Sequence, residues 1–106
     1  MNEDQTMDQL MQINEHSENL ARCLKAMAHP LRLKIILYIE NKEKSVGDIE
    51  SCVGSSQSNI SQHLGIMRDK NILVSRKEGN QIFYSLKDTR ILPLLKEICQ
   101  ILIQNR

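Results

Sequence analysis

Ser45-Val-Gly-Asp-Ile-Glu-Ser-Cys-Val-Gly-Ser-Ser-Gln-Ser-Asn-Ile-Ser-Gln-His-Leu-Gly-Ile-Met67 divides at Gly54 into two short helices, the second carrying an uncharged hydrogen-bonding face. That second helix, residues 57–69, is expected to start near Gln57 with either Ser55 or Ser56 as N-cap, a hydroxyl accepting from an otherwise unpaired backbone N–H. At about 100° per residue, Ile60, His63, Leu64 and Met67 gather on one side and Ser58, Ser61, Gln62, Gly65 and Asp69 on the other. The first face packs; the second is presented. A merely solvated face is usually built of Lys and Glu, whereas Ser, Gln and a Gly that permits close approach suit base edges in a major groove.

Upstream, Ser45 followed by Asp48 makes a capping box, and Val46, Ile49 and Val53 form the inner stripe of the first helix. Gly54 falls where a tight helix–helix corner needs positive φ. The pair therefore has the pattern of a helix-turn-helix. Downstream, Leu73-Val-Ser-Arg-Lys77 and Gln81-Ile-Phe-Tyr-Ser-Leu86 flank Glu78-Gly79-Asn80, a hairpin signal. Arg76 and Lys77 enter that tip and Asn80 and Gln81 leave it, so this wing, residues 73–86, is placed to hold phosphate or enter a minor groove. The candidate DNA contacts are Gln57, Ser58, Asn59, Ser61, Gln62, Arg76, Lys77, Asn80 and Gln81.

The other helices hold this reader in place. Leu10, Ile13, Leu20, Leu24 and Met27 make one stripe of a helix over residues 10–28, stopped at His29-Pro30 because the residue before proline avoids the α region. A second helix starts near Pro30 and is apolar almost all round, as a central core helix would be. The last helix carries apolar residues over an arc of roughly 200°, wider than the stripe of about 100° that a one-sided surface helix needs. One side faces its own domain and the other a second subunit. Either this helix starts near Leu92 after a separate turn at residues 88–91, or it is kinked at Pro93.

Leu24-Lys-Ala-Met-Ala-His-Pro-Leu-Arg-Leu-Lys-Ile-Ile36, Ser45-Val-Gly-Asp-Ile49, Ser56-Gln-Ser-Asn-Ile-Ser-Gln-His-Leu64 and Gln81-Ile-Phe-Tyr-Ser-Leu86, in that order, resemble the successive motifs of the ArsR/SmtB winged-helix repressors. The likeness spans about residues 20–104. It implies a mainly α fold with a small β-hairpin: four helices, a two-stranded wing and a fifth helix, with the first and fifth building a homodimer interface. It also implies a palindromic operator in double-stranded DNA as partner. The metal sites familiar in that family are not matched. One falls here on Asp88, Arg90, Ile101 and Gln104, the other on Ser45-Val46-Gly47, and serine, isoleucine and arginine cannot supply such chemistry. The thiol pair used by other relatives falls on Leu37 and Ile103. Cys99, one turn before Ile103, and Cys23 on the first helix leave two readings, a displaced redox-sensing dithiol or two small buried hydrophobes. Cys52 reads as an incidental surface thiol, and His63 as a packing histidine.

The formal net charge of +1 hides an uneven distribution. Residues 1–20 hold five acids and no Lys or Arg, leaving 14 bases against eight acids, +6, in residues 21–106. An acidic disordered tail at 1–8 and one DNA-binding and dimerisation domain at 9–106 are expected; at 106 residues the buried fraction is modest and an oligomer interface would help. Apolar runs fall well short of the about 18 residues of a membrane span, and no export signal is visible, so no membrane partner, a cytoplasmic location and reduced thiols are expected. No cofactor or metal is expected. No nucleophile–base pair, phosphate loop or paired carboxylates argue for an enzyme. The competing readings are a winged-helix module used only for protein contacts and a metal-responsive repressor with a site of another kind.

Overall fold

Two capped helices and a hairpin pack around one apolar helix. The structure, a computed structural model, describes residues 3–104. Its elements run α1 (Glu3–Met27), α2 (Pro30–Ile39), β1 (Lys44–Ser45), α3 (Val46–Val53), α4 (Gln57–Asp69), β2 (Leu73–Glu78), β3 (Gln81–Leu86) and α5 (Ile91–Cys99), with a π-helical turn, Gln100–Gln104, after α5. α2 starts where His29 Nδ1 accepts from the Leu31 N–H at 3.1 Å and Pro30 fills the first turn. Ile35, Ile36 and Ile39 are fully buried against Ile49 of α3, Ile60, Leu64 and Met67 of α4, and Leu73, Tyr84 and Leu86 of the sheet. Complete burial of side chains of this size stabilises by about 1.5–3 kcal/mol each.

Two features differ from the sequence reading, and an alternative it left open at α5 is decided. The wing is part of a three-stranded sheet, order β1-β3-β2, because Lys44 and Ser45 pair antiparallel with Tyr84 and Phe83. A two-residue strand carries no local periodicity; its pairing is a tertiary event. α1 begins at Glu3 instead of near Leu10, since no Gly or Pro interrupts residues 3–27. The expected tail is therefore helical at residues 3–8, while 1–2 lie outside the described residues. α5 begins at Ile91, after a turn closed by Ile91 N–H to Asp88 O at 3.3 Å and Leu92 N–H to Thr89 O at 3.1 Å. Pro93 sits in its first turn, where a missing N–H costs little.

α1 touches the body only near its end: Ala26 and Met27 are buried, whereas residues 6–22 are all exposed. Among the described residues no helix is long and apolar enough to cross a membrane.

Candidate nucleic-acid interface

α4 is held at both ends of its first turn. Ser56 is the N-cap, its Oγ accepting from the Asn59 N–H at 3.2 Å, and Ser55 Oγ accepts from the Asn59 side-chain amide at 2.8 Å. The two serines left open by the sequence thus divide the work. The α3–α4 corner closes through Gly54 at φ 71°, and Ser45 Oγ caps α3 by accepting from the Asp48 N–H at 3.1 Å. Ile60, Leu64 and Met67 are buried while Gln57, Ser58, Ser61 and Gln62 are exposed, so α4 presents the face its sequence implied.

His63 is half-buried between the two. Its Nδ1 accepts from Arg32 Nε at 3.0 Å, Arg32 Nη1 donates to Ala26 O at 3.1 Å, and the His29 ring stacks obliquely at 4.5 Å. Arg32 therefore joins α4 to the end of α1, a role with no local sequence signal. Burial, helped by His29 and Arg32, pushes the His63 pKa down, which keeps the neutral acceptor form.

The wing meets α4 across a cleft of about 280 Å³ lined by Ser45, Val46, Gly47, Gln57, Ser61, Asn80, Gln81 and Ile82. Gln57, Ser61, Asn80 and Gln81 are thus brought together from two elements, and exposed Lys77 precedes the tip, which turns at Gly79 with φ 60°. Two expected contacts are differently engaged. The amide of Asn59 is committed to Ser55. Arg76 binds Glu43 through Nη2–Oε1 at 2.6 Å and Nε–Oε2 at 3.1 Å, and Glu78 through Nη1–Oε2 at 2.6 Å. The hydrogen bond from Arg76 holds the Glu43 carboxyl below its ordinary pKa. Glu43, 33 residues from Arg76, gives no sign of this in the sequence.

The model of "Bacterial regulatory protein, arsR family" matches residues 29–75. The Biofilm growth-associated repressor of Xylella fastidiosa (strain Temecula1) is 32% identical over 86 residues, 81% of this chain and 75% of its own. The Transcriptional activator HlyU of Vibrio cholerae is 36% identical over 89 residues, 81% of this chain and 82% of its own. The chain belongs to the arsR family. The crystal structure of NolR from Sinorhizobium fredii, 34% identical, superposes with a TM-score of 0.75 over 86% of this chain and 91% of NolR. This arsR-family chain is thus a DNA-binding transcriptional regulator with a winged helix-turn-helix, not an enzyme.

Two further places lie away from the surface formed by α4 and the wing. Asp88, where the family resemblance puts a metal-ligating carboxylate, is gripped by Arg90 at 2.6–3.1 Å, which lowers its pKa to about 2. Among the described residues no group of three or more His, Cys, Asp or Glu could hold a metal ion. Cys23 is half-buried, with Sγ 4.0 Å from Lys70 O at the end of α4, and lines an apolar groove of about 460 Å³ between α1 and α5. Cys99 is half-buried at the end of α5, next to the groove-lining Ile98, and Cys52 is exposed.

Proposed function

We propose that the protein is a homodimeric, cytoplasmic repressor that reads a palindromic operator with α4 and steadies it with the wing. The observation that carries this is the cleft in which Gln57 and Ser61 of α4 face Asn80 and Gln81 of the wing. Ser58, Ser61 and Gln62 address base edges, while Gln57, Lys77, Asn80 and Gln81 address the backbone beside them. Two copies of α4 then enter successive major grooves, about one helical turn apart. The second copy docks on α1 and α5, whose Leu20, Leu24, Leu94 and Ile98 line an open apolar groove. Selection of binding sites from random duplex DNA, followed by titration at several salt concentrations, tests this. Enrichment of an inverted repeat bound with a steep salt dependence is expected. Binding with no preferred sequence, or with none of that salt dependence, would leave a protein-contact module as the better account.

For release from DNA, the reading favoured is thiol chemistry at Cys23 and Cys99. Its support is the contact of Cys23 with Lys70 O, which connects a thiol on α1 to the end of the reading helix. Oxidation joins the two sulfurs with loss of two protons and passage of two electrons to an oxidant such as diamide. Two equivalents of a persulfide donor RSSH would instead convert both thiols to persulfides with release of two RSH, and the two persulfides would close to a trisulfide bridge with loss of hydrogen sulfide. Wild type is expected to lose operator affinity on treatment and Cys23→Ser and Cys99→Ser to keep theirs. Equal affinity of treated and untreated wild type would make both cysteines packing residues.

A further inference from the structure

Arg76 sits on edge strand β2 directly opposite Phe83 of central strand β3, and Phe83 is directly opposite Ser45 of β1. Residues paired in this way share a sheet face. The Arg76 side chain crosses that face with its guanidinium 4.9 Å over the Phe83 ring and ends on Glu43, two residues before Ser45. Both oxygens of Glu43 are engaged by the planar fork, and Glu78 takes a third bond. One side chain therefore ties the outer strand of the wing to the segment that leads into the cap of α3.

We propose that Arg76 and Glu43 are positioning residues, a brace that fixes the wing at its angle to the helix-turn-helix, and that the phosphate grip of the wing falls to Lys77. This rests on taking α4 and the wing as the DNA-contacting surface. With its guanidinium committed to two carboxylates, Arg76 neutralises no DNA phosphate, so replacing it takes no phosphate contact, and none of the counterion release that accompanies one, away from the complex. The pair is partly solvent-exposed, and such pairs contribute little to fold stability, so variants should melt close to wild type.

The test is operator affinity across a salt series for wild type, Arg76→Gln, Arg76→Lys, Glu43→Gln and Lys77→Ala, with thermal melts as the folding control. A brace predicts that Arg76→Gln and Glu43→Gln each bind about three- to five-fold more weakly with an unchanged salt slope. Arg76→Lys should be as weak as Arg76→Gln, because lysine keeps the charge and loses the fork. The proposal is overturned if Arg76→Lys binds like wild type, the mark of a phosphate clamp. It is equally overturned if Glu43→Gln binds more tightly with a steeper slope, which would make Glu43 an inhibitor of a latent clamp, or if none of these variants changes affinity. Lys77→Ala reports on the wing separately: a slope that it leaves unchanged would remove the phosphate role of the wing, whatever the Arg76 series shows.

Discussion

Gln62 and Lys77 are both exposed, yet they are expected to fail in different ways. In the proposed complex the Gln62 amide, on the presented face of α4, would make directional bonds to base edges, so Gln62→Ala should lose on the order of 1–3 kcal/mol on the operator and little on scrambled DNA. Retention of full discrimination by Gln62→Ala, in a competition titration, would show that α4 does not read sequence there. His63 makes a prediction about pH. Its native pKa is depressed chiefly by burial, so the unfolded chain takes up the proton at higher pH than the folded one. Protonation would also remove the acceptor that Arg32 uses. The stability contributed by neutral His63 is complete above the ordinary imidazole value of about 6.5 and declines as pH falls from there toward the lower native value. Melting temperatures between about pH 5 and 7.5 should fall more steeply for wild type than for His63→Gln. Parallel curves would assign the acid sensitivity elsewhere.

α4 also separates stability from function at Gly65. A Cβ built there meets only the Arg68 guanidinium, at 3.9 Å, so Gly65→Ala has room and removes the entropic cost of glycine in a helix, about 0.5–1 kcal/mol. The same methyl stands on the presented face, where close approach to DNA is needed. Gly65→Ala should raise the melting temperature and lower operator affinity; a rise in both would take Gly65 off the contact surface. The elements most legible in the sequence were those written in local chemistry, such as the Ser45 cap, the Gly54 corner and the Gly79 hairpin tip. Of the residues lining the cleft, Ser61 follows from the helical phase of α4 and Asn80 and Gln81 from their place at the hairpin tip, but their meeting with Gln57 in one cleft is a tertiary event that no single element encodes. What was not legible depends on contacts between distant segments: β1 exists only because Tyr84 and Phe83 pair with it, and Glu43 meets Arg76 only once that pairing is made. The start of α1 is not legible for a different reason: residues 3–9 hold one apolar residue, Met7, so no apolar phase marks its first turns.

At the scale of the molecule, a single copy leaves much apolar surface uncovered. Leu24 of α1 and Leu94 of α5 are 54% and 60% exposed, and Ile101, Leu102 and Ile103 beyond α5 are exposed as well. A chain of 106 residues exposing this much apolar surface, with Leu20, Leu24, Leu94 and Ile98 lining one groove, is expected to cover it with a partner surface. In the proposed homodimer a second copy would supply the same patch about a two-fold axis. Leu94→Glu places a carboxylate in the groove between α1 and α5 but leaves the fully buried Ile35, Ile36, Ile39 and Ile49 untouched, so the variant should remain helical and become monomeric. In the proposed dimer, folded dimer and unfolded monomer are linked by mass action, so a ten-fold rise in concentration should stabilise wild type by about 1.4 kcal/mol and leave Leu94→Glu unaffected. Operator binding should fall with dimerisation, because one α4 then reads one half-site alone. Light scattering at micromolar concentration checks the mass and calorimetry at two concentrations checks the linkage. A monomeric wild type, or a dimeric Leu94→Glu, would place the subunit interface away from α1 and α5.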